Sequence, residues 1–149
     1  MAAVEKAYNT QPTKAKTLFL FNSIGGAGSI EKFVMFQDVG FNRFNLAFGD
    51  VAKGQFDDSA ISNNRDVLSV LSTVAKCVHE FLEAYPGAEI LIVPVDAKRA
   101  MLYNFVFKRR FPEITVNFEV VGLVGSKKEV YSPERDYDSF LLKHRFSKI

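Results

Sequence analysis

The sequence predicts a mixed α/β domain, α+β in its order. It has a twisted, largely antiparallel sheet of about six strands and two main helices, at about 65–85 and 97–110. Three observations predict it. Counted at 100° per residue from Asp66, Val67, Leu68, Val70, Leu71, Val74, Ala75, Cys77, Val78, Phe81 and Leu82 fall on one side of a helix. Ser69, Ser72, Thr73, Lys76, His79, Glu80 and Glu83 fall on the other, and so wide an apolar face has to pack on something broad. Short β-prone runs punctuated by Gly stand on both sides of this helix. The resulting order of strands, helix, strand, helix, strands puts two helices on one sheet.

Taken in order, residues 1–14 are polar, with Pro12 near their end, and read as a flexible N-terminal tail; residues 15–149 read as a single globular domain. Residues 17–22 and 30–37 are strands joined through Gly25, Gly26, Ala27, Gly28 and Ser29, a hairpin turn in which glycine supplies positive φ. A phosphate loop would need a Lys-Ser/Thr pair and a following helix, and neither is there. Asp38-Val39-Gly40 turns the chain into a strand at 41–48, with Phe44, Leu46 and Phe48 on one side and Arg43, Asn45 and Ala47 on the other. Residues 50–64 form a long polar loop, either a functional segment or a solvated crossover. Asn63 or Asn64 caps the first helix, and Pro86-Gly87 stops it. Residues 90–93 form a short apolar strand, and Asp96 caps the second helix. Residues 115–124 are a strand, 125–128 a turn, and 128–131 and 139–144 further β-prone pieces. If the strands flanking the first helix are parallel, their crossover is right-handed.

Composition narrows the class. A chain 48% hydrophobic and 24% charged folds rather than staying disordered. Fifteen Phe without a Trp points to Phe filling the space between sheet and helices. A net charge of +2 is too small to argue for nucleic acid. One cysteine permits no internal disulfide, and Cys77 on the apolar face reads as a buried, inert thiol. No run approaches the ~18 apolar residues of a membrane span, and no cleavable leader opens the chain. The expected setting is soluble, cytoplasmic and reducing, away from the membrane.

Several short motifs stand in a specific order: Phe44-Asn45-Leu46-Ala47-Phe48-Gly49-Asp50, Asn63-Asn64-Arg65-Asp66, Leu71-Ser72-Thr73-Val74 and Arg99-Ala100-Met101-Leu102-Tyr103. With Gly28-Ser29-Ile30, Lys32 and the closing 137–145, they resemble a bacterial family of about 150 residues catalogued as a domain of unknown function. The likeness runs from about residue 15 to 145; Val93-Pro94-Val95-Asp96 departs from it, where a Gly-Ser-Thr-like turn is expected. It implies the fold and a bacterial, cytoplasmic setting, and no activity. The long helix, strand and second helix also look like the back half of the acyl-CoA N-acetyltransferase (GNAT) fold. That fold holds the cofactor pyrophosphate at a glycine-rich helix start. Here the start, 62–66, has no glycine and carries Asp66.

No catalytic residue is assigned. Asp96-Ala97-Lys98 has the spacing of metal-dependent nucleases, but a helix precedes it where a second carboxylate is needed, and an N-cap explains Asp96. His79 and His144 are the only histidines, His79 on the polar side of its helix, so no metal site is expected. No Gly-x-Ser-x-Gly is present. Lys98, Arg99, Lys108, Arg109 and Arg110 form a basic patch, because an 11-residue offset is nearly three helical turns. Between them Met101, Leu102, Tyr103, Phe105, Val106 and Phe107 make the helix apolar on almost every side, which means burial or a partner. The candidate binding residues are Asn45, Asp50, Asn64, Asp66, Arg99 and Tyr103, Arg99 and Tyr103 sharing a helical face. The leading expectation is a non-catalytic binding or protein-interaction module without a cofactor. It would associate with itself or with a protein partner through the second helix or a sheet edge. An acyl-CoA-binding acetyltransferase-like enzyme and a nucleic-acid-backbone binder are the alternatives.

Overall fold

The structure, a computed structural model, describes residues 7–26, 28–57 and 66–145. In chain order these form β1 (Gln11–Pro12), β2 (Leu18–Gly25), β3 (Gly28–Gly40), β4 (Arg43–Ala52), β5 (Gln55–Asp57), α1 (Val67–Ala84), β6 (Glu89–Ile92), α2 (Ala97–Arg109), α3 (Phe111–Asn117), β7 (Phe118–Val124), β8 (Lys127–Val130) and β9 (Ser139–His144). The strands pair in the order β1-β2-β3-β4-β6-β9-β7-β8, with β5 added on β4. β4 and β6 run parallel, as a helical crossover through α1 requires. The pairs β1–β2, β2–β3, β4–β5, β6–β9, β7–β8 and β7–β9 are antiparallel.

The mixed α/β class and the mostly antiparallel sheet hold, but six strands is too few. β1 and β5 are two and three residues long, too short for alternation to reveal. A third helix also replaces the start of the strand expected at 115–124. Pro112 sits in the first turn of α3, where its missing N–H has no partner to lose, and Ile114, Thr115 and Val116 follow as helix despite their β-branched side chains. Among the described residues no helix is long and apolar enough to cross a membrane.

Contacts gather in two units, Met1–Phe36 with Ala47–Ala84, and Gln37–Leu46 with Tyr85–Ile149. In the first, β2 and β3 form the expected hairpin, closing at Gly25 opposite Gly28. α1 buries Val70, Thr73, Val74, Cys77, Val78, Phe81 and Leu82, whereas Val67 and Leu68, though on the same side, stay exposed. Phe81 stacks on Phe36 at 4.2 Å, and Phe36 meets Phe19 edge-on at 6.1 Å, so phenylalanines do fill the core. The stretch read as a loop at 50–64 opens as a hairpin, Asp50 opposite Asp57, turned by Lys53 and Gly54 at positive φ. Residues 58–65, with the caps Asn63 and Asn64, lie outside the described residues. Of the stretch read as a tail, residues from Ala7 on are described, and β1 pairs with β2 at Gln11 opposite Leu20.

In the second unit the turn expected at 38–40 sits instead at Phe41 and Asn42, both near φ 57–58°. Phe41 is fully exposed there. Ile90, Leu142 and Val120 share one face across β6, β9 and β7. α2 covers it by stacking Phe107 on Phe140 at 4.2 Å.

Candidate functional site

α2 buries only part of its apolar surface. Asp96 starts it as foreseen, its carboxylate accepting the Arg99 N–H at 2.8 Å. Inward go Arg99, Asn104 and Phe107. Asn104 grips the chain before β9 by both ends of its amide, donating to the Tyr137 carbonyl and accepting the Tyr137 N–H, each at 2.9 Å. Outward stand Met101 and Phe105, 75% and 53% exposed and one turn apart. The helix therefore is not the apolar rod that the sequence indicates: a buried polar clamp displaces two large apolar side chains into water.

The basic patch is thinned by pairing. Lys108 bonds the Asp136 carboxylate and Arg110 reaches Glu113 at 3.3 Å. Arg99 is 7% exposed. Arg109 lies over the Phe105 ring at 5.9 Å, and Lys98 is exposed a turn before Met101. The outer stripe thus reads Lys98, Met101, Phe105, Arg109, on a helix without any acidic residue. Tyr103 is half-buried on α2, and Asn45, half-buried on β4, donates to Gln37 at 3.4 Å.

In the first unit, Asp50 is paired with Lys32 at 2.5 Å, both buried. Asp66, just before α1, accepts the Tyr8 hydroxyl at 2.6 Å and the Ser23 hydroxyl. The Tyr8 N–H adds a bond to Thr73 Oγ1 at 2.8 Å, so this stretch is tied to α1. Asn64 lies outside the described residues. Lys32 was legible only as a motif residue, although a lysine in the alternate series Ile30, Lys32, Val34, Phe36 is itself the signal of a buried cation.

A family model, described as a family of unknown function (DUF6934), matches residues 4–145. The chain belongs to this family. No curated protein and no solved structure matches it. For a DUF6934 chain, then, chemistry has to be argued from its own groups. Among the described residues no cluster of three or more His, Cys, Asp or Glu could hold a metal ion.

The fold perturbs three phenols and a thiol. Burial pushes the Tyr131 phenol up to about 12, and among the described residues its hydroxyl has no hydrogen-bond partner. Burial, and then donation to Asp66 and Glu129 respectively, raise Tyr8 and Tyr137. Burial pushes the Cys77 thiol up to about 12. All four groups are raised above their unfolded values, so the stability they contribute is present below those values and is lost as pH rises, for Tyr131 and Cys77 toward about 12. The expected result is that Tyr8, Tyr131 and Tyr137 ionise late and with unfolding in an absorbance titration at 295 nm, and that Cys77 reacts with a thiol reagent only after denaturant is added. Prompt native-state reaction of Cys77 would contradict the packing of α1.

Proposed function

We propose that this DUF6934 chain is a small protein-interaction module, acting in the bacterial cytoplasm, that docks an acidic, amphipathic segment of another protein on the outer face of α2. One observation carries the reading: Met101 and Phe105 stand exposed between Lys98 and Arg109 on a helix without a carboxylate. Exposed apolar side chains set among like charges form a surface that gains from a partner of opposite charge with its own apolar anchor. A second copy fits this stripe poorly. Antiparallel pairing about a two-fold axis would bring Lys98 onto Arg109 of the other copy, cation against cation. The stripe would be the energetic centre, because aromatic and arginine side chains dominate interface energies.

The test is selection of phage-displayed peptides on the immobilised protein, with Met101→Ser/Phe105→Ser as the counter-target. Enriched peptides should carry net negative charge and a large apolar residue, and should lose at least about tenfold in affinity on the double variant. Peptides that bind both proteins equally would remove α2 as the docking surface. Salt-sensitive binding of a labelled single-stranded oligonucleotide, with no acidic peptide enriched, would transfer the stripe to nucleic acid.

A further inference from the structure

Neither α2 nor α3 packs on one face of the second unit's sheet, and the charges of that face are ordered. Residues opposed in register point the same way, so each row across the sheet lies on one face. Arg43 opposes Glu89, Glu89 opposes Lys143, and Lys143 opposes Glu119. Across β4, β6, β9 and β7 the row reads plus, minus, plus, minus. Arg43 and Glu89 bond within it, Nε and Nη2 reaching Oε1 at 3.1 and 2.9 Å. The next row on this face runs Asn45, Leu91, Leu141, Val121, apolar but for Asn45 at its β4 end. Leu91 and Val121 are half-buried and Leu141 is buried. Both helices of this unit pack on the reverse face, α2 through Phe107 on Phe140 and α3 through Phe111 on Tyr131.

We propose that this face is a dimer interface and that its occupant is a second copy of the same chain. A row of four alternating charges has a property that three or five would lack: reversed end to end, it becomes its own complement. A two-fold axis lying between β6 and β9, parallel to the strands, performs that reversal. Arg43 then faces Glu119 of the other copy, and Glu89 faces Lys143. The same axis lays Leu91 over Leu141 of the other copy, and Asn45 over Val121, so the row covers itself with apolar groups at its centre. The two sheets stack with their strands aligned, one of the two arrangements that packed sheets adopt. An unrelated partner would need the inverse pattern by coincidence, whereas a second copy carries it by symmetry.

The size of the face sets the strength. Strands of four to seven residues about 4.8 Å apart offer on the order of 400 Å² per copy. That is below the size of stable interfaces, so the dimer is weak, reversible and concentration-dependent. Its charged row makes it weaken with salt.

The test is sedimentation equilibrium of the full chain at low and high salt. The wild type should dimerise with a dissociation constant in the micromolar range, rising with salt. Lys143→Glu sets Glu89 against a carboxylate and should raise the constant at least tenfold, and Glu119→Lys, at an exposed position, should do the same. The swap Glu89→Lys/Lys143→Glu restores the opposition between copies and should recover most of the affinity. Met101→Ser/Phe105→Ser should leave the dimer unchanged, which separates this interface from the α2 stripe. A wild type that sediments as a monomer at all concentrations overturns the proposal. So does a Lys143→Glu or Glu119→Lys protein that dimerises like wild type, or a swap that recovers nothing.

Discussion

Lys32→Met should lower the unfolding free energy by about 3–5 kcal/mol, although it preserves almost all the volume of the side chain. Lys32 and Asp50 are 2% and 6% exposed, and the Nζ to Oδ1 distance is 2.5 Å. Removing the cation takes the Lys32 charge away from a buried carboxylate that is still desolvated, and that is the source of the loss. The paired substitution Lys32→Met/Asp50→Leu should recover most of it, because two apolar groups of similar size need no compensation. Urea melts of the wild type, both single variants and the pair read this directly. A Lys32→Met protein with the wild-type midpoint and slope would mean that the pair contributes nothing to the fold. A double variant as weak as the singles would mean that packing, not charge, is at stake.

Gly122→Ala should be nearly as damaging, at about 3 kcal/mol. A Cβ at Gly122 would stand 2.3 Å from Cδ1 and Cε1 of Tyr137 and 2.6 Å from Cγ. The ring cannot step aside cheaply. Its hydroxyl donates to Glu129 at 2.6 Å and accepts the Ser132 N–H at 3.0 Å, and its backbone is held by Asn104. The effect should be strongly non-additive. In a Tyr137→Ala background the methyl group meets no ring, and Gly122→Ala should cost little there. Equal costs in both backgrounds, by thermal or denaturant melts, would show that the ring is not what excludes a side chain at position 122.

The sequence reveals what periodicity and turn chemistry control. The α1 face is legible because 18 residues repeat the 3.6-residue period five times, and the β2–β3 hairpin because glycines mark its turn. What stays hidden depends on distant partners. Thr73 falls on the polar side of α1 by counting, yet it is buried, because its hydroxyl accepts the Tyr8 N–H and donates to the Ser69 carbonyl. The positive-φ run Gly40, Phe41, Asn42 is announced by its glycine and asparagine, but the Phe between them is a poor residue for it and hides where the turn sits. α3 is hidden by its own Ile-Thr-Val run. The outward set of α2 is hidden because Asn104 looks like a surface residue until its two bonds to Tyr137 are known. Of the candidate site residues, Lys98 and Arg109 are the cations of the proposed surface, while Asp50 and Asp66 engage Lys32, Ser23 and Tyr8.

The two units are interleaved along the chain, and this bears on how a ribosome delivers them. The first unit takes Met1–Phe36 and Ala47–Ala84, so its last residue is in place when little more than half the chain has been made. The segment Gln37–Leu46 emerges in the middle of that unit but belongs with Tyr85–Ile149. Its strand partner β6, opposing Arg43 from Glu89, emerges more than forty residues later. At ~5–20 residues per second the unmatched edge waits for seconds, exposing backbone donors and acceptors that another nascent chain could capture. Vectorial synthesis therefore gives the nascent chain a vulnerable interval that refolding from denaturant does not reproduce, and synthesis rate across residues 47–89 becomes a determinant of yield.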